Sequence, residues 1–162
     1  MKTVILVRHA KSSWEYGVSD RDRPLMERGI GDADRVAREF RKKAVKIDAA
    51  YSSPANRALH TAVIFLRTLN YPFSEFELSD TLYDFNGDDV LSFIKSLDND
   101  KETVIIFGHN EAFTHLVNSL GNKYIGNVPT SGLVELKFDV EDWRSVKKGT
   151  TGRTLFPKEL KE

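Results

Sequence analysis

The chain has 162 residues, 40% of them hydrophobic, no cysteine, and 24 Lys and Arg against 24 Asp and Glu for a formal net charge of zero. A chain of this size can bury a substantial core, so one domain over residues 1–162 is expected. The missing cysteines exclude disulfides, thiolate-bound zinc and a thiol nucleophile, and the charge balance argues against general binding to nucleic acid or an anionic membrane.

Val4 to Val7 is an unbroken apolar run that reads as a fully buried strand, and it ends in Arg8 and His9. It is too short for the roughly seven apolar residues of a signal core, and no run approaches the roughly 18 of a spanning helix, so a soluble, cytoplasmic protein is expected. In an open α/β sheet, ligands sit at the C-terminal ends of the strands. A guanidinium grips phosphate with paired hydrogen bonds, and a neutral imidazole beside it serves as base or nucleophile. The Arg8-His9 pair therefore points to phosphoryl chemistry, although alone it also reads as the polar end of a core strand.

Residues 11–24 lack periodicity and read as a loop. Met26, Ile30, Ala33, Val36, Ala37 and Phe40 recur at helical spacing, predicting an amphipathic helix from Leu25 to about Lys43, with Gly29 and Gly31 weakening its first turns. Ile47 to Tyr51 reads as a strand, followed by a helix with Ser53 as N-cap and Pro54 at its first position. That helix carries Arg57 in its first turn and runs to Leu69. A brief strand at Phe76 to Leu78 leads to Leu82-Tyr83-Asp84-Phe85 and an Asn86-Gly87 turn, then a helix on Val90, Phe93, Ile94 and Leu97.

Thr103 to Phe107 repeats the buried-strand pattern and ends in Gly108-His109-Asn110. A helix on Phe113, Leu116, Val117 and Leu120 follows, with Asn110 as N-cap and Gly121 as C-cap. Gly132 to Phe138 reads as a strand with Asp142 to Val146 as its hairpin partner, and an irregular basic tail is expected from Lys147 onward. The alternation predicts an α/β fold: a three-layer sandwich with a mostly parallel central sheet, an antiparallel strand at the C-terminal edge, and helices on both faces.

If the two buried strands are parallel neighbours, His9 and His109 emerge at one rim, and Arg57 reaches the same rim from its helix. Arg8, His9, Arg57 and His109 would then converge on one anion pocket. A phosphoryl group in transfer needs fixed donors around its equatorial oxygens and a nucleophile in line. Two guanidiniums and one imidazole can be the donors, and the other imidazole the nucleophile.

Arg8-His9-Ala10-Lys11-Ser12, Arg23-Pro24-Leu25 with Arg28-Gly29, Ser52-Ser53-Pro54 leading to Arg57 and Thr61-Ala62, and Gly108-His109-Asn110 together resemble the histidine phosphatase superfamily. The short chain and the Arg-Pro-Leu segment are most similar to its SixA-type phosphohistidine phosphatases. The resemblance implies that His9 is transiently phosphorylated, that Arg8, Arg57 and His109 hold the phosphoryl oxygens, and that neither metal nor cofactor is required. One departure stands out: Ala10 occupies the third place of the usual Arg-His-Gly, which the backbone accepts if φ there is negative.

Asp84 lies where relatives often carry an acid and is the candidate proton donor to an ester leaving group, or else a cap for the following helix. Glu111 is a weaker alternative acid, since acids in a first helical turn commonly answer the helix dipole. Ser12 is a candidate substrate contact, with Lys11 and Ser13 beside it, and Trp14 is either a substrate contact or a loop anchor. His60 and His115 read as surface or packing residues. Short connections, above all between Leu78 and Val90, predict an open site. That suits a phosphohistidine side chain on a partner protein; a small phosphate ester is the alternative substrate, a mutase a third enzyme reading, and a non-catalytic phosphate-binding module the alternative class. The oligomeric state is left open.

Overall fold

A computed structural model describes residues 1–160. Its centre is β1 (Lys2–Arg8), in which Val4 to Val7 are fully buried because the strand is covered on both faces. The sheet has six strands in the order β3-β2-β4-β1-β5-β6. Here β2 is Ala49–Ser52, β3 Phe76–Leu78, β4 Thr103–Gly108, β5 Leu133–Phe138 and β6 Thr150–Leu155. β1 pairs parallel with β4, β4 with β2 and β2 with β3, while β5 runs antiparallel to both β1 and β6.

The pleat divides the apolar residues between two cores. Val4, Leu6, Val104 and Ile106 face one side, covered by α3 (Asp88–Lys95) and α4 (Ala112–Leu120). Ile5, Val7, Ile105 and Phe107 face the other, covered by α1 (Glu27–Arg41) and α2 (Asn56–Thr68). The expected three-layer α/β sandwich is the fold observed.

Local chemistry shifts several boundaries. α1 starts at Glu27, not Leu25, because Leu25 makes an isolated bridge to Ser12 and the Met26 N–H donates to the Lys11 carbonyl at 2.8 Å. The backbone of Lys11 therefore presses against the start of α1, where a Cβ on Gly29 would stand 2.3 Å from the Lys11 oxygen. Gly29 is there for close approach rather than for helix formation. Ser53 does not cap α2, which begins at Asn56 with Ala55 as its N-cap, so Pro54 lies outside the helix. Gly87 caps α3 with a positive φ of 106°, as a turn glycine allows.

The C-terminal edge differs most from expectation. Asp142 to Val146 is not a strand: Trp143–Ser145 is a 3-10 turn that buries Trp143, whose indole N–H donates to the Lys101 carbonyl at 2.8 Å. The apolar pair Trp143 and Val146 is spaced by three, the period of that turn and not of a strand. The partner of β5 is instead β6, inside the stretch expected to be an irregular tail. A register shift between Val134 and Leu136 accommodates it, with the Glu135 carboxylate accepting the Arg153 backbone N–H at 2.9 Å. Lys161 and Glu162, the end of that expected tail, lie outside the described residues.

Candidate active site

The parallel registers set the rim. Arg8 lies opposite Gly108 and Ser52 opposite Phe107. The ladders continue one step further, with His9 N–H donating to Gly108 O and Ser53 N–H to Phe107 O, both at 3.0 Å. His9, Ser53 and His109 thus emerge together from three adjacent strands.

The His9 ring has Nδ1 2.8 Å from the Ala10 carbonyl oxygen. A carbonyl only accepts, so Nδ1 carries the proton and Nε2 keeps its lone pair. Burial lowers the His9 pKa to about 3, with the Arg57, Arg8 and Arg23 charges adding to the effect against the bond to Ala10. The ring is neutral near pH 7. Ala10 is fully buried and is not among the described non-glycine residues with positive φ, so it fits the place where the family signature has glycine. Its N–H donates to Thr61 Oγ1 at 2.9 Å, and that hydroxyl donates to the Arg57 carbonyl at 2.7 Å. The loop bearing His9 is thereby tied to the helix bearing Arg57.

His109 is 1% exposed, its ring centroid 5.4 Å from that of His9 and 4.8 Å from that of Phe85. Its Nε2 meets Ser53 Oγ at 2.8 Å. Burial, then the neighbouring His9 and Arg57, lower its pKa to about 3. Arg8 donates from Nη1 to the Val128 carbonyl at 2.9 Å. Arg57 is 2% exposed and spends both terminal nitrogens on Asp20, one on its carbonyl and one on its carboxylate, the latter at 2.8 Å. Arg8 Nε, Arg57 Nε and His109 Nδ1 are buried without a hydrogen-bond partner among the described residues. Buried polar atoms are ordinarily satisfied, and these three nitrogens, on residues at the same rim as the His9 imidazole, are available to an anion.

Of the four residues expected to converge, Arg8, His9 and Arg57 border one cleft, while His109 lies buried beside His9 and does not line it. A cleft of about 280 Å³ is bordered by Arg8, His9, Ser12, Arg57, Trp14 and Phe85, among others. Trp14, 77% exposed, stacks on the Arg23 guanidinium, whose carbon lies 3.2 Å from the ring centroid, so it both anchors the loop and borders the cleft. A cavity of about 460 Å³ lies at the other end of the sheet, between the C-terminal ends of α1 and α2, away from these cations.

Asp84 is not available as expected. Its two carboxylate oxygens accept backbone N–H groups of Asn86, Gly87 and Val90 at 3.0–3.2 Å, so it serves as a cap for α3 and does not border the cleft. Glu111 does not border the cleft either, and acts on Arg8 only through its charge. The Ser12 hydroxyl borders the cleft but is engaged by Arg23 at 2.6 Å.

Sequence reasoning missed Asp20, Tyr83 and the part played by Arg23. The Asp20 carboxylate joins Arg57, Arg23 and the Tyr83 hydroxyl. Partial burial works to raise its pKa, but those three donors outweigh it and bring the group down to about 2. Arg23 stood in a recognisable segment, whereas an acid in a polar loop carries no signal of its own.

The sequence profile of the histidine phosphatase superfamily (branch 1) matches residues 4–90. An uncharacterized protein of Mycobacterium tuberculosis is 27% identical over 153 residues, 88% of this chain and 93% of that one; a 2,3-bisphosphoglycerate-dependent phosphoglycerate mutase of Beijerinckia indica is 36% identical over 76 residues, 44% of this chain but only 36% of the mutase. Among solved structures, the protein histidine phosphatase SixA complexed with tungstate superposes with a TM-score of 0.83 at 25% identity, covering 98% of this chain and 99% of that one.

Proposed function

The chain belongs to the histidine phosphatase superfamily, branch 1, and on that premise we propose that it removes the phosphoryl group from phosphohistidine on a protein, through a phosphorylated His9. His9 Nε2 attacks phosphorus and forms the new P–N bond as the substrate P–N bond breaks. The Nε groups of Arg8 and Arg57 and Nδ1 of His109 take the equatorial oxygens, where negative charge collects. Water then attacks the phosphorylated His9 and releases inorganic phosphate. The guanidiniums and imidazole carry the charge, so the scheme calls on no metal.

The observation that carries the substrate class is the state of the acids. Asp84 is consumed as a cap, and Asp20 is held ionised with a pKa of about 2. Asp20 therefore supplies no proton near pH 7, and the Asp84 oxygens are occupied by backbone donors. An alkyl ester needs that proton on its departing oxygen. The imidazole of phosphohistidine takes one from solvent on its other ring nitrogen before the P–N bond breaks, and leaves neutral. The open cleft with Trp14 and Phe85 on its border supports a side chain presented by another protein. The match to part of the mutases supports, as the second reading, a small phosphate ester as substrate.

The test is turnover of a phosphohistidine protein beside an alkyl phosphate, in EDTA, with wild type, His9→Ala and Arg57→Ala. We expect preference for phosphohistidine, no turnover by His9→Ala, and a loss of about 10²- to 10³-fold in Arg57→Ala. Equal or better turnover of the ester moves the reading to a small-molecule phosphatase. Activity retained in folded His9→Ala rules out the covalent route, and binding without turnover in wild type makes the chain a phosphate-binding module.

A further inference from the structure

Ser53 is fully buried between two strands that build the rim, and its backbone is fixed there: its N–H donates to Phe107 O at 3.0 Å and its carbonyl accepts the Ser52 hydroxyl at 2.8 Å. Its own hydroxyl oxygen accepts the Ala55 N–H at 3.2 Å and meets His109 Nε2 at 2.8 Å. A hydroxyl has one proton to give. Ala55 supplies a donor, so among the described contacts of this hydroxyl the only acceptor is the His109 nitrogen. With the proton on Nε2 instead, the Ser53 hydroxyl would be buried with nothing to donate to, and Nδ1 would turn a lone pair toward an incoming oxyanion.

Resting on the reading of this rim as a phosphoryl site, we infer that Ser53 is a positioning residue: its hydroxyl donates to Nε2 of His109, fixes that imidazole as the Nδ1–H tautomer, and thereby makes it a donor to the phosphoryl group. The two histidines then share a tautomer and do opposite work. His9 has its Nδ1–H taken by the Ala10 carbonyl and offers the Nε2 lone pair; His109 has its Nε2 lone pair taken by Ser53 and offers the Nδ1–H. One is the nucleophile and the other a donor because of which nitrogen the protein occupies. Burial among cations keeps both rings neutral, so the choice of tautomer governs what each presents.

Long-range ¹H–¹⁵N correlation spectra of the full, ¹⁵N-labelled chain at pH 7 read the tautomer directly, with His109 assigned by its loss in His109→Gln. Wild type should show a protonated Nδ1 and a bare Nε2. Ser53→Ala should move His109 toward the Nε2–H form and weaken tungstate binding by roughly 10- to 100-fold, the scale seen when an orienting partner behind a ligand-binding imidazole is removed. An Nε2–H form in wild type overturns the inference even if Ser53→Ala does not fold. A folded Ser53→Ala with an unchanged tautomer, or with unchanged tungstate affinity, overturns it as well. Since neither readout needs turnover, a chain with the expected tautomer and tungstate response that hydrolyses no phosphohistidine would refute the proposed function and leave the Ser53 assignment standing.

Discussion

His9 and His109 give the protein an acid sensitivity of known sign. Each has a pKa near 3 in the folded chain, against about 6.5 when exposed. Between those values the unfolded chain binds protons that the folded one refuses, so stability is full above about pH 6.5 and falls as the pH drops toward 3. Asp20 acts in the same direction lower down, losing its partners' support as the pH falls from its ordinary 3.8 toward 2. Urea unfolding between pH 4 and 6 should therefore show stability rising with pH. His9→Gln should make that slope shallower by about 1.4 kcal/mol per pH unit, the contribution of one proton. An unchanged slope would mean that His9 titrates normally and is not desolvated in its socket.

At the scale of elements, the pocket loop and α1 are one unit, because Lys11 packs its backbone onto the first turn of the helix. Two glycines in that helix make the point measurable. Gly31 faces open space, so Gly31→Ala should stabilise by about 0.5–1 kcal/mol through helix propensity alone. Gly29→Ala should instead destabilise, since its Cβ would meet the Lys11 oxygen at 2.3 Å, and should lower kcat by displacing the loop beside His9. Equal stabilisation by both, in thermal unfolding, would show the helix and loop to be independent. Elements were legible in the sequence where burial was strong: the apolar runs of β1 and β4 marked both strands and the rim at which Arg8, His9 and His109 emerge. β6 was hidden because Thr150, Thr151, Gly152 and Arg153 form a half-buried edge with little apolar content. Asp20 and the tautomer-setting contact of Ser53 were illegible for another reason. Their partners are 37 and 56 residues away and meet them only once the strands are in register.

For the whole molecule, the formal charge of zero describes the average and not the distribution. Arg8, Arg23 and Arg57 gather at one rim, and the loop from Trp14 to Arg23 brings Asp20 against two of them. The fold thus concentrates cations without a basic composition, which is why composition argued only against general nucleic-acid binding and was silent about a phosphoryl group. The gathering is left incomplete, with three buried nitrogens unanswered, each the kind of omission that costs about 1–3 kcal/mol. An oxyanion bound as proposed would answer all three at once. The protein's lifetime should therefore be set partly by the salts around it: digestion by a nonspecific protease, which samples the transiently opened chain, should slow as inorganic phosphate is raised at constant ionic strength and not as chloride is. On the proposed function, the phosphate released at this rim would itself prolong the life of the protein that released it.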